Sequence, residues 1–238
     1  LGDVYKRQYL KYRLSRQAER SNIKHLVIDE MQDYSRLQYL IIRRMFSCKM
    51  TILGDRAQTM ADQQQDVLQF LPGIFGKDLR RIEMRKSYRN TVEIASYAAN
   101  LIGVTDLELF ERHGMPVLER DVTDLEAALR EAVDTLFPDE KTYETAAVIV
   151  PDEKTAERAY LILREILAEK DFDCEKRLSW LNRDSSSFKK GLTVTTFYLA
   201  KGLEFDQVFS IFPKDEKREM MMQAQYIAAT RACLLYTS

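Results

Sequence analysis

The sequence predicts an α/β protein with mostly parallel sheets, on the strength of three observations. Two short apolar runs, Leu26–Ile28 in HLVIDE and Met50–Leu53 in KMTILGD, have the length and composition of buried parallel strands. Between them SRLQYLIIRRMF sets Leu37, Leu40, Ile41, Met45 and Phe46 at helical spacing, so residues 26–53 read as strand, helix, strand. The same alternation runs on through the chain, which argues for helices on both faces of a sheet.

Taken in order, LRRIEM (79–84) reads as a strand, NTVEIASYAANLI (90–102) and DLEAALREAVDTLF (124–137) as helices, and AAVIV (146–150) as a core strand. KTAERAYLILREIL (154–167) is an amphipathic helix, and the polar stretch NRDSSSFKKG (182–191) is a surface loop. LTVTTFY (192–198) and QVFSIF (207–212) supply two further strands, and MMQAQYIAATRA (221–232) closes the chain as a helix.

The 238 residues, 45% hydrophobic and 31% charged, suffice for one large domain or two small ones. With 36 Lys and Arg against 37 Asp and Glu, bulk charge selects no polyanionic partner, and any nucleic-acid surface must be a local patch. Cys48, Cys174 and Cys233 lie far apart, and His25 and His113 complete no zinc cluster with them, so the expectation is a reduced, cytoplasmic protein. No apolar run reaches the roughly 20 residues that span a bilayer, and no membrane partner is expected. The two ends, residues 1–8 and 233–238, resemble translated sequencing-adapter read-through. They are expected to be non-native, on a chain cut from a longer protein.

In open α/β sheets ligands sit outside the carboxyl ends of the strands, and Asp29, Glu30 and Asp55 occupy that position. Singly, an acid after a strand is most often a helix cap or the start of a solvated loop. Here both strands end in acids, and each is followed shortly by a glutamine, Gln32 and Gln58. A carboxylate for Mg²⁺, a carboxylate to take a proton from an attacking water and an amide to orient that water are what nucleotide hydrolysis needs.

Five strings in order, VIDEMQDYSRLQ, TILGDRAQ, KSYRN, LAKGLEFD and YIAATRA, resemble motifs II to VI of superfamily 1 helicases of the UvrD/Rep type. The resemblance implies two RecA-like P-loop NTPase-type domains, the first incomplete (1–78, motifs II and III) and the second at 79–238 (motifs IV to VI), with ATP and Mg²⁺ in the cleft between them. It implies that Asp29 holds the metal, that Glu30 is the general base, and that Gln32 and Asp33 complete motif II. Asp55 belongs to motif III, and Gln58 senses the γ-phosphate. Arg89 and Arg231 act as fingers on the same phosphate, Glu204 contacts the ribose, and Gly202 admits close backbone approach. Single-stranded DNA is the implied partner, with 3′ to 5′ movement. Each residue taken alone has an ordinary reading: surface arginines, Tyr88 as a core aromatic, Gly202 as a turn.

The sequence departs from that pattern in several places. No G-x-x-x-x-G-K-[ST] occurs, and GIFGKD at Gly73–Asp78 has the wrong spacing and an Asp for the hydroxyl. The phosphate loop is therefore expected to precede residue 1, leaving this polypeptide inactive by itself. Only roughly a hundred residues separate Arg89 from Lys201, about one domain's worth, so the large insertion of UvrD/Rep enzymes is missing. Met60 stands where a base-stacking aromatic is usual, the motif V histidine is absent, and either Phe197 or Tyr198, but not both, is expected at the surface. The missing insertion, the DYSRLQ continuation and the YLAKGLEFD wording look more like the HelD, or helicase IV-like, branch. That leaves open an ATP-driven factor remodelling RNA polymerase instead of a duplex-unwinding enzyme, and also a degenerate domain kept for binding.

Overall fold

The computed structural model describes residues 2–14, 22–55, 58, 66–76, 79–84, 86–105, 108–122, 124–136, 144–183, 185, 190–213 and 218–237. The chain divides into two units, Leu1–Glu83 and Met84–Ser238.

In the first unit the two apolar runs form β1 (His25–Ile28) and β2 (Lys49–Ile52), paired in parallel with Ile28 opposite Ile52. A helix α1 (Gly2–Leu14) precedes them, α2 (Arg36–Met45) connects them, and α3 (Val67–Phe75) follows. Ser35 and Gln38 form a reciprocal capping box at the start of α2, satisfying two of the amides a helix start leaves open. Tyr39 is the most buried residue of this helix, with its ring against Tyr34, Phe70 and Phe75. The expectation that β1 and β2 are buried on both faces fails. Leu26 and Ile28 face the core with α2 and α3, whereas Val27 points the other way and is 59% exposed. The sheet has two strands among the described residues, and this core covers one of its faces.

The second unit is a five-stranded sheet in the order β6-β7-β5-β8-β9, parallel throughout: β5 (Thr145–Val150), β6 (Leu178–Trp180), β7 (Gly191–Thr196), β8 (Phe205–Ser210) and β9 (Ala232–Thr237). The helices α5 (Leu125–Leu136) and α6 (Glu153–Glu169) cover one face, where Leu129, Val133, Leu163 and Leu167 pack on Val148, Val150, Val194 and Phe209. Each such fully buried side chain contributes about 1.5–3 kcal/mol. The helices α4 (Val92–Leu101) and α8 (Arg218–Ala229) pack together, α8 on β8 and both on β9. The strands β5 and β7 are buried along nearly their whole length, as all-parallel sheets require. A four-residue helix, α7 (Cys174–Arg177), leads into β6.

Two assignments are corrected. Residues 79–84 form no strand: Ile82 and Met84 are 86% and 85% exposed, and pairing begins instead at β3 (Lys86–Ser87) with β4 (Glu108–Leu109). The closing helix stops at Ala229, because Arg231 N–H donates to Ala228 O in a tight turn and Ala232 opens the edge strand β9. Of the end segment 233–238, residues up to Thr237 belong to this strand. Of the expected loop 182–191, residues 184 and 186–189 fall outside the described set, as does Met60. No helix among the described residues is long and apolar enough to cross a membrane.

Candidate functional site

In the first unit, Asp29 and Glu30 leave the carboxyl end of β1, and Gly54 and Asp55 leave that of β2. The backbones of the two turns are tied together, Leu53 N–H donating to Ile28 O and Met31 N–H to Leu53 O, both at 2.8 Å. Asp29 is exposed, and its Oδ1 accepts the Glu30 N–H at 2.8 Å. Glu30 has φ 52° and ψ 52°, a left-handed conformation that costs a non-glycine residue about 1 kcal/mol or more and persists where surrounding bonds impose it.

Those bonds come from Gln32, which is 1% exposed. Its Nε2 donates to Glu30 Oε2 at 2.5 Å and its Oε1 accepts the Asp55 N–H at 3.2 Å, so one amide joins the two strand ends. Asp55 Oδ2 in turn accepts from Gln58 Nε2 at 3.0 Å. The result is a continuous chain, Glu30–Gln32–Asp55–Gln58. Gln58 is buried, and its Oε1 has no hydrogen-bond partner. Asp33 sits exposed in the turn Met31–Asp33, which is anchored from below by the Tyr39 hydroxyl donating to Met31 O at 3.0 Å. Burial pushes the Tyr39 phenol well above its ordinary pKa, so it stays a neutral donor.

Gly54 was not singled out in the sequence, yet the junction depends on it. A Cβ there would lie 2.5 Å from Gln32 Oε1 and 2.6 Å from the Met31 backbone nitrogen, and backbone has nowhere to retreat. Gly54→Ala is expected to destabilise the first unit by about 1–3 kcal/mol through overpacking. A lowered urea midpoint for this chain would record it, and a wild-type midpoint would show that the contact relaxes at no cost.

In the second unit, Arg89 follows β3, and its guanidinium meets Glu204 Oε1 at 2.7 Å. Both side chains are about half exposed, so the pair contributes at most about 1 kcal/mol. Glu204 precedes β8, and Arg231 precedes β9 beside it, with Phe205 N–H donating to Arg231 O at 2.9 Å. The structure thus gathers Arg89, Glu204 and Arg231 at the amino ends of β8 and β9. Burial pushes the Cys233 thiol up and Glu204 adds to the rise, while Arg89 and Arg112 oppose it, which places these charges around one strand start. Arg231 is 3% exposed, and its guanidinium donates to Thr230 Oγ1 at 3.1 Å. Gly202 has φ 77° with open space where a Cβ would sit, so conformation rather than crowding calls for glycine there.

Two residues here escaped the sequence reading. Asn90 Nδ2 donates to Ala232 O at 2.7 Å and Thr230 O at 3.5 Å, the carbonyls on either side of Arg231. Arg112 donates from one nitrogen to Arg89 O and to Cys233 O, the latter at 2.8 Å. Their partners lie 23 to 142 residues away, and no local pattern announces that. Tyr88 is 61% exposed and pairs with Phe110, so the core-aromatic reading is wrong. The strand expected over 192–198 stops at Thr196, and Phe197 and Tyr198 lie in the turn that follows, Phe197 buried and Tyr198 half-buried with Arg183 over its ring. A cavity of about 430 Å³ between α5 and the carboxyl end of β8 contains none of the predicted residues.

Among the described residues no group of three or more His, Cys, Asp or Glu gathers into a metal cage. One or two carboxylates nonetheless suit Mg²⁺, which takes its other ligands from water and substrate phosphates. The buried, unpartnered Gln58 acceptor beside the acids fits a site whose remaining donors come with a ligand. No phosphate cradle is added by Gly73, which lies inside α3.

No curated protein matches this sequence. Among solved structures, the C-terminal domain of a possible DNA helicase from Lactobacillus plantarum WCFS1 is 22% identical, over 64% of this chain and 87% of that one, with a TM-score of 0.48. The PRRSV helicase is 16% identical (TM-score 0.45), and the helicase of an arterivirus, nonstructural protein 10, in complex with DNA is 14% identical (TM-score 0.45). They match 89% and 90% of this chain, which spans 33% and 39% of their lengths. The architecture described above rests on the chain's own sheets and helices rather than on these likenesses. Residues 5–60, the segment that holds Asp29, Glu30, Gln32, Asp33, Asp55 and Gln58, match the family model for the UvrD/REP helicase N-terminal domain.

Proposed function

We propose that this chain is part of an ATP-dependent motor that couples nucleotide hydrolysis to movement on single-stranded nucleic acid, DNA in the first instance, with 3′ to 5′ polarity. The observation that carries the reading is the Glu30–Gln32–Asp55–Gln58 chain at two adjacent strand ends, within the segment that matches the helicase family. Asp29 would hold Mg²⁺, which when bound would supply charge neutralisation on the phosphates. Glu30, oriented by Gln32, takes the proton of the attacking water. Gln58 has its amide nitrogen engaged by Asp55 and an acceptor oxygen unpartnered, which suits holding a water's hydrogen better than donating to a phosphate oxygen. Asp33 completes the acidic turn. Arg89 and Arg231 place positive charge where the transferring phosphoryl group becomes more negative, and Glu204 releases Arg89 to hydrogen-bond the ribose. The G-x-x-x-x-G-K-[ST] string that cradles phosphates does not occur in these 238 residues.

A second reading is a HelD-like factor acting on RNA polymerase. It is favoured by the residues from 84 onward forming one unit, with no separate insertion between Arg89 and Lys201. The test is ATP hydrolysis by the full-length protein with and without single-stranded DNA or RNA polymerase. Stimulation by DNA supports the first reading and stimulation by polymerase alone the second, while no ATPase under either condition leaves a binding domain only.

A further inference from the structure

We infer that Asn90 and Arg112 are positioning residues that lock the Arg89 loop and the Arg231 turn into one block, so that the two arginines address a phosphate together or not at all. The inference rests on the function proposed above, and its geometry lies entirely within the second unit. Arg89 and Arg231 come from segments far apart in sequence, and both lie on short connections, one between β3 and α4, the other between α8 and β9. Such connections move readily unless tied.

The ties converge on these two side chains. The Asn90 amide spans Arg231, reaching the carbonyl before it and the carbonyl after it. Asn90 is 8% exposed and Ala232 is fully buried, so water does not replace the shorter bond when it is lost. Arg112 performs the converse task, spanning from the carbonyl of Arg89 to that of Cys233, two residues past Arg231. Its own backbone is fixed, since Arg112 O accepts the Val92 N–H at 2.9 Å at the first turn of α4. Phe205 N–H on Arg231 O then joins the turn to β8 and to the segment bearing Glu204. Both bonds leave the same guanidinium nitrogen, whose two N–H groups lie fixed in the plane of the group and point one to each carbonyl.

A group that acts only in the transition state loses most of its effect when displaced by about 1 Å, on the order of a hundredfold in rate. In the full-length protein, Asn90→Ala and Arg112→Gln are therefore expected to lower kcat for ATP about ten- to a hundredfold. KM should stay within about threefold, since ground-state binding does not depend on the fingers. Arg112→Lys, which keeps a donating nitrogen and the charge on a differently shaped side chain, restores part of the loss, and it serves as the test if Asn90→Ala does not fold. The decisive comparison introduces Arg112→Gln into the Arg89→Ala, Arg231→Ala background, where it costs nothing further because no finger remains to be placed. The same fold-loss there as in the wild-type background assigns Arg112 a structural role only and overturns the inference, as does a wild-type kcat for the single variants. If Arg89→Ala and Arg231→Ala themselves leave turnover intact, the functional reading fails instead, and those two controls separate the cases.

Discussion

Glu30→Gln in the full-length protein is expected to abolish measurable ATP turnover while leaving nucleotide affinity close to wild type. An amide cannot accept the water's proton, and a general base contributes on the order of 10² to 10⁴ in rate. The structure makes this substitution a clean one. Glu30 receives the Gln32 Nε2–H on a side-chain oxygen, and the amide oxygen of a glutamine accepts the same bond, so the link through Gln32 to Asp55 survives. The left-handed backbone at Glu30 is no worse for glutamine than for glutamate. A loss of turnover with an unchanged unfolding midpoint then belongs to the chemistry. Near-normal turnover would remove Glu30 from the role of base.

Arg231→Ala is expected to lower turnover by on the order of 10³ to 10⁵, the range arginine fingers supply in phosphoryl transfer, with a far smaller effect on ADP affinity. In the proposed role the asymmetry follows because the guanidinium would meet charge that grows during the reaction and is absent from the diphosphate. Arg231 is nearly buried, so alanine also removes packing and its bond to Thr230, and Arg231→Lys is the necessary companion. Lysine keeps the charge while losing the planar fork, and it should recover little of the rate. Equal losses in turnover and in ADP affinity would make Arg231 an ordinary binding residue.

The two sites differ in how much of each the sequence exposed. The acids of the first unit stand directly after apolar runs, and a strand that ends in Asp-Glu or Gly-Asp can be read from a few residues. What held them could not be read. Gln32 looked like one more motif residue, yet it is the side chain that joins β1 to β2. The need for glycine at position 54 arises only because Met31 and Gln32 of the other strand end crowd against it. In the second unit the arginines were recognisable from their strings, whereas Asn90 and Arg112 were not. A hydrogen bond between residues 142 positions apart leaves no periodicity behind. The strand misread at 79–84 shows the reverse case, apolar residues that match a strand locally but meet no partner and remain in solvent.

The α/β class, the strand-helix-strand unit at 26–53, the core strands that became β5 and β7, and the positions of the acids and arginines are legible along the chain. Local apolar spacing and the residues that end a strand or cap a helix act within a few neighbours, and so they are written along the chain. Which strands pair, that 232–237 closes one edge of the sheet, and that Arg89, Glu204 and Arg231 share one end of it emerge from the folded chain alone. Those outcomes depend on backbone amides and carbonyls finding partners across long separations, and every residue carries the same two groups whatever its side chain.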